Sequence, residues 1–322
     1  MRFIFTFIFI AGLCGSEVQI NEIVSSNQNT FFDEDGDTPD WIELYNSSSN
    51  DISILDWGLT DDSSELFKWR FPNVIINAGD YLLIMASDKN RNDLIAQWET
   101  IIDWGDQWHY FVGNQAPPSQ WNQVGFNTNS WDIGASGFGY GDNDDNTIID
   151  QTISIFIVKN FSVSDVYHVK KIAFHIDYDD GFVAYLNGQE FARSNIIGDP
   201  PNYNQGTETW REAQMFTGGE PELHWIDSSD VWVNEGVNTL AIQVHNFNNS
   251  SSDMSCIPFL TVGRDIAINE AQGVAEELNL PGSMLHTNFK ISSSGETIVL
   301  TKDTQDIADS LYTGILVTDV SI

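Results

Sequence analysis

Ile172-Ala173-Phe174-His175-Ile176-Asp177-Tyr178-Asp179-Asp180-Gly181, continued by Phe182-Val183-Ala184-Tyr185-Leu186-Asn187-Gly188-Gln189-Glu190, decides the fold class. Two runs rich in β-branched and aromatic residues meet at an Asp-Asp-Gly turn, and the second closes on Asn-Gly. Asn-Gly suits a type I′ turn, the connection whose twist matches paired strands. The run Gly236-Val237-Asn238-Thr239-Leu240-Ala241-Ile242-Gln243-Val244-His245 reads as a long buried strand, and Phe156–Phe161 as another. No long stretch repeats apolar residues at three and four positions with a cap at each end. The chain is therefore read as all-β.

Towards the N-terminus the strands shorten. Val18-Gln19-Ile20-Asn21-Glu22-Ile23-Val24 and Trp41-Ile42-Glu43-Leu44-Tyr45-Asn46 alternate as half-buried strands should. Leu55–Thr60 and Phe67–Pro72 follow, then the turn Asn77-Ala78-Gly79-Asp80 before the strand Tyr81 to Ala86. Short strands at this spacing suggest a small β-sandwich.

The segments Ile20-Asn21-Glu22-Ile23, Asp37–Asn46, Lys68-Trp69-Arg70-Phe71-Pro72, Ala78–Ile84 and Ala86-Ser87-Asp88-Lys89 together resemble the bacterial lamin-tail domain. That resemblance implies an immunoglobulin-like sandwich. Its later strands resume only in Leu285–Glu296, Ile298-Val299-Leu300 and Ile307–Ser310. The Asp-Asp-Gly…Tyr-Leu-Asn-Gly hairpin and the 236–245 strand resemble a galactose-binding-like jelly roll. The expected organisation is a leader at 1–16, a sandwich split between 17–95 and 284–322, and a jelly roll inserted at 97–265. Two partial sandwiches flanking a central domain are the alternative. Insertion is preferred because neither piece has enough strands to close a core, and exposed loops tolerate insertion. The same order resembles the N-terminal part of exported proteins that carry a spore-coat-type (CotH-like) kinase. The chain breaks off mid-pattern at Asp319-Val320-Ser321-Ile322, as expected of a longer gene product.

Across 322 residues, 13 Lys and Arg stand against 47 Asp and Glu, a formal charge of −34. Such a surface repels phosphate backbones, so nucleic-acid binding is not expected. Met1-Arg2, the apolar run Phe3–Leu13 and Cys14-Gly15-Ser16 have the order of a secretory signal peptide. Leu13 stands where a bacterial lipoprotein signal needs a small residue, which disfavours a lipid anchor at Cys14. No second long apolar stretch follows, so no transmembrane segment is expected. Secretion, or display at the cell surface, is the expected localisation. Cleavage after Ser16 would leave Cys256 as the single cysteine, unable to form an intrachain disulfide.

Asp33, Asp35 and Asp37 alternate around Gly36 and are candidate Ca²⁺ ligands, with Asp40 or Glu43 completing the oxygen shell. The helix-loop-helix calcium motif is absent, since Leu44 stands at its twelfth position; the plain alternative is a solvated turn. Asp142, Asp144 and Asp145 with Asn143 form a second acidic turn that reads more simply as a hairpin tip. Asp177, Asp179 and Asp180 are candidate ligand contacts at the sandwich rim, or else shape the turn and cap amides. Trp108, Trp121 and Trp131 are candidate platforms for sugar rings, although a Trp in a sandwich usually belongs to the core.

No Gly-x-Ser-x-Gly elbow, His-Glu-x-x-His pair or phosphate-cradling glycine loop occurs. The six histidines are scattered singly. The chain is read as a secreted, non-catalytic binding or display protein for carbohydrate or a cell-surface polymer, with Ca²⁺ as its candidate cofactor. The alternative is a structural accessory region of a larger exported kinase or hydrolase.

Overall fold

The computed structural model describes residues 17–92, 94–141, 144–226, 232–268, 272–280, 283–315 and 317–322. The leader with Cys14, and Asp142 and Asn143 of the second acidic turn, lie outside the described residues. Regular structure is nearly all strand. Among the described residues the helical pieces are two three-residue turns, Val166–His168 and Met215–Thr217, and no helix is long and apolar enough to cross a membrane. The chain divides into two compact units, one formed by residues up to Leu94 with Pro281–Ile322, the other by Ile95–Leu280.

In the first unit, one sheet runs in the order Val18–Val24, Asp40–Asn46, Tyr81–Ala86, Leu285–His286, the last pair parallel. The second runs Ile307–Tyr312, Thr297–Thr301, Gly58–Thr60, Trp69–Arg70. Side chains from both sheets, including Ile42, Leu44, Ile84, Leu59, Ile298 and Leu300, share one core. The Val18–Val24 strand carries a bulge between Ile20 and Glu22. The extra residue resets the two-residue alternation, so Ile20 and Ile23 both face inward despite their odd spacing.

The second unit is a larger sandwich. One sheet takes the order Asp132–Ala135, Gln107–Val112, Ser154–Val163, Gly236–His245, Gly181–Leu186, Gln189–Ser194. The other has Met254–Arg264 and Val169–Tyr178 at its centre. Alternate residues Ile155 and Ile157, Leu240 and Ile242, Phe182 and Ala184 meet Ile172, Phe174, Leu260 and Val262 between the sheets.

The central strands are also buried on their outer faces, so side loops must cover them. On the first sheet, Trp121, Trp131, Ile196 and Tyr203 pack over Phe156, Val158, Val183, Tyr185 and Ala241. A cavity opens within this covering layer. Asn187 and Gly188 both have positive φ, 53° and 86°, as a type I′ turn requires.

Candidate functional site

The cavity encloses about 410 Å³, within the range of small-ligand pockets. Its floor is built by three neighbouring strands. Phe156 lies opposite Gln243, and Gln243 opposite Val183, two residues before Tyr185. Strand alternation turns Phe156, Gln243 and Tyr185 outward while Ile155, Ile242 and Ala184 go to the core.

The walls come from two proline-bearing loops, Ala116–Asn122 and Pro200–Tyr203. Pro117, Pro118, Pro200 and Pro201 fix their own φ and limit how far these walls can relax. Ser154 Oγ donates to the Tyr203 carbonyl at 2.5 Å and ties the second wall to the sheet.

Trp121 is 8% exposed and forms the aromatic side of the cavity. It meets Phe156 edge-on at 5.1 Å and Tyr185 edge-on at 5.8 Å, and stacks on Trp131 behind it. Gln243 Nε2 donates to the Tyr185 hydroxyl at 2.9 Å. Burial pushes the Tyr185 phenol up to about 12, with Glu190 nearby adding to the rise, so it stays protonated. None of the fourteen lining residues is an Asp, Glu, Lys or Arg.

Among the other sequence candidates, Trp108 is 2% exposed and fills the core between the sheets. Trp131 supports Trp121 from behind and does not line the cavity. A periodic strand pattern marks a Trp as facing one side, but whether a loop covers that side is not written in the strand.

Asp33, Asp35 and Asp37 do converge, and Lys89 Nζ stands among them at 2.5, 2.6 and 2.9 Å. Burial works against the Lys89 charge, but the hydrogen bonds it donates to the three carboxylates outweigh it and hold the amine well above its ordinary pKa. Arg91 pairs with Glu34 and Asp35, and His286 bridges Glu34 and Ser87. Asp40 and Glu43 are not in the group: Asp40 accepts from the Asn27 amide and Glu43 from the Asn21 carboxamide.

At the Asp-Asp-Gly turn the three aspartates have different duties. Asp177 accepts the Gln214 and Met215 amides, and Asp180 accepts those of Arg211 and Phe247. The Asp179–Asp180 peptide is cis. Asp179 groups with Glu212 and Asp253, two residues that no sequence pattern singled out. In the second acidic turn, Ser255 Oγ donates to Asp144.

A Lamin Tail Domain family model matches residues 15–155. The match begins at the first unit and runs past Leu94 into the second. No curated protein matches the chain. Among solved structures, the chain is similar to a beta-glycosidase from Bacteroides vulgatus at 14% identity and TM-score 0.34, over 67% of this chain and 34% of that one. It is similar to a beta-glucuronidase from glycoside hydrolase family 2 at 12% identity and TM-score 0.35, over 70% and 31%. A Ruminococcus gnavus beta-glucuronidase gives 12%, TM-score 0.33, 70% and 44%. The chain spans about a third of the first two proteins and under half of the third.

Proposed function

We propose that this chain is an exported, non-catalytic binding protein whose cavity at Trp121, Tyr185 and Gln243 holds a neutral carbohydrate, free or as part of a surface polymer. The observation that carries this reading is the absence of charge in the lining. Formal charge over the whole chain is −34, yet the cavity presents only aromatic, prolyl, carboxamide and hydroxyl groups with one alanine. A cationic ligand would be served by the carboxylates abundant elsewhere, and an anionic one would need Arg or Lys. A sugar needs an apolar face to lie on and neutral donors and acceptors for its hydroxyls.

Those groups are available. Among the described residues, no protein group bonds the Trp121 indole N–H, the Gln243 carboxamide oxygen, or the side-chain carboxamides of Asn122 and Asn202. The proline-stiffened walls lower the ordering cost of binding. The basic start and apolar run of residues 1–16 support export.

Saturation-transfer NMR of the purified chain with neutral mono- and oligosaccharides tests the reading. Transfer to sugar ring protons that is lost in both Trp121→Ala and Gln243→Leu is the expected result. No transfer from any neutral glycan to a folded protein, or transfer that survives both substitutions, removes it. Turnover of a polysaccharide by the purified chain would replace binding with catalysis.

A further inference from the structure

We propose that Asp179, Glu212 and Asp253 form a Ca²⁺ site at the rim of the second unit. The fold assembles these residues by an identifiable route. Asp180 holds the Arg211 amide at 2.6 Å, while Asp177 holds the amides of Gln214 at 2.8 Å and Met215 at 2.7 Å. The loop is thus pinned on both sides of Glu212. Asp253 arrives from the opposite direction, immediately before the strand Met254–Arg264, where the Asp179 amide donates to the Ser255 carbonyl.

One oxygen from each of the three carboxylates lies within 4.8 Å of the others. Two oxygens each about 2.4 Å from a common Ca²⁺ are at most about 4.8 Å apart, so the spacing permits a shared coordination shell. An acidic cluster alone would not distinguish a site from a solvated edge. The decisive feature is Asp179 itself. It is 3% exposed, and the side chain that shares a hydrogen bond with it is another acid, Asp180, with no amide, amine or guanidinium of the described residues donating to it. Its side-chain neighbours are acids: Asp180 lies within hydrogen-bonding reach, and Glu212 and Asp253 close the group.

A buried carboxylate facing other carboxylates without a counter-charge is costly, and a cation removes the cost. The Asp33, Asp35, Asp37 group shows the same demand met internally by Lys89. No salt bridge among the described residues reaches Asp179, Glu212 or Asp253. Consistent with this, burial and then the charges of Asp180, Asp253 and Glu212 raise the Asp179 carboxyl to about 8. Burial, Asp253 and Asp180 also raise Glu212. An all-oxygen set open to solvent on the Glu212 side suits Ca²⁺, whose shell tolerates irregular geometry and added waters.

Calorimetric titration of the full chain with CaCl₂ after chelator treatment tests the site. One saturable equivalent is expected, weakened at least tenfold in both Glu212→Gln and Asp253→Asn and unchanged in Asp35→Asn. Glu212 is exposed, so its variant keeps the test valid even if Asp179→Asn does not fold. No binding at millimolar CaCl₂ overturns the proposal. So does binding that Asp35→Asn abolishes or that Glu212→Gln and Asp253→Asn leave intact.

Discussion

Gln243 and Tyr185, on adjacent strands of one sheet, are joined by a 2.9 Å hydrogen bond from carboxamide to phenol at the floor of the cavity. Gln243 is almost wholly enclosed, and among the described residues this is the one bond its side-chain N–H makes to protein. Tyr185→Phe removes the acceptor and keeps the ring. The expected loss is about 1–3 kcal/mol of stability, the cost of a buried donor without a partner. Chemical denaturation of the two proteins measures it, and glycan affinity should fall in parallel.

Lys89→Ala leaves Asp33, Asp35 and Asp37 facing one another without their ammonium. The Asp33 side chain is buried but Lys89 keeps contact with solvent, so the expected cost is about 1–3 kcal/mol. The variant should also gain what the parent loop lacks. Its melting temperature should rise with added CaCl₂ even when Glu212→Gln is combined with it, because the vacated centre offers three carboxylates.

Gly139 sits on a strand that runs against Met254–Arg264. A Cβ there would fall 1.8 Å from the Met254 carbonyl oxygen and 2.4 Å from an Asp145 carboxylate oxygen. Neither the backbone nor the paired strand can yield that distance. Gly139→Ala is expected to cost about 3 kcal/mol or more, read as a lowered denaturation midpoint.

Burial, and secondarily the charge of His224, lowers the His175 pKa from 6.5 to about 4. A neutral folded form with a basic unfolded form gives stability that is full above about 6.5 and lost as pH falls through about 4. Asp179 runs the other way: raised from 3.8 to about 8, it favours the fold at low pH and loses that contribution as pH rises through about 8. The histidine effect is therefore read as a difference. His175→Leu should gain on the parent protein by on the order of 2–3 kcal/mol between pH 6.5 and pH 4. A constant difference across that range would mean His175 is not neutral because of the fold.

Strand identity was written in local alternation, which is why Val18–Val24, Asp40–Asn46 and Gly236–His245 are recognisable from residue types alone. The bulge after Ile20 is less visible, because it depends on how the partner strand registers. The sites were legible only in halves. Asp179 belongs to a conspicuous turn, but Glu212 and Asp253 reach it through loops whose spelling carries no period. Asp33, Asp35 and Asp37 have ligand-like spacing, yet Lys89 lies 56 residues from Asp33 and no pattern in the acidic loop announces it. Trp121 and Trp108 are equally aromatic; a proline loop gives one a cavity, and a facing sheet encloses the other.

The pairing of Thr297–Thr301 with Gly58–Thr60, and of Leu285–His286 with Tyr81–Ala86, sets an order of events on the ribosome. Residues 95–280 contain every described strand of their own sandwich and can close as soon as they emerge. The strands Gly58–Thr60 and Tyr81–Ala86 must wait for partners made about 200 or more positions later, with two unfinished sheet edges in the meantime. Of the two sandwiches theirs closes second, although its opening strands are made before any of the other's.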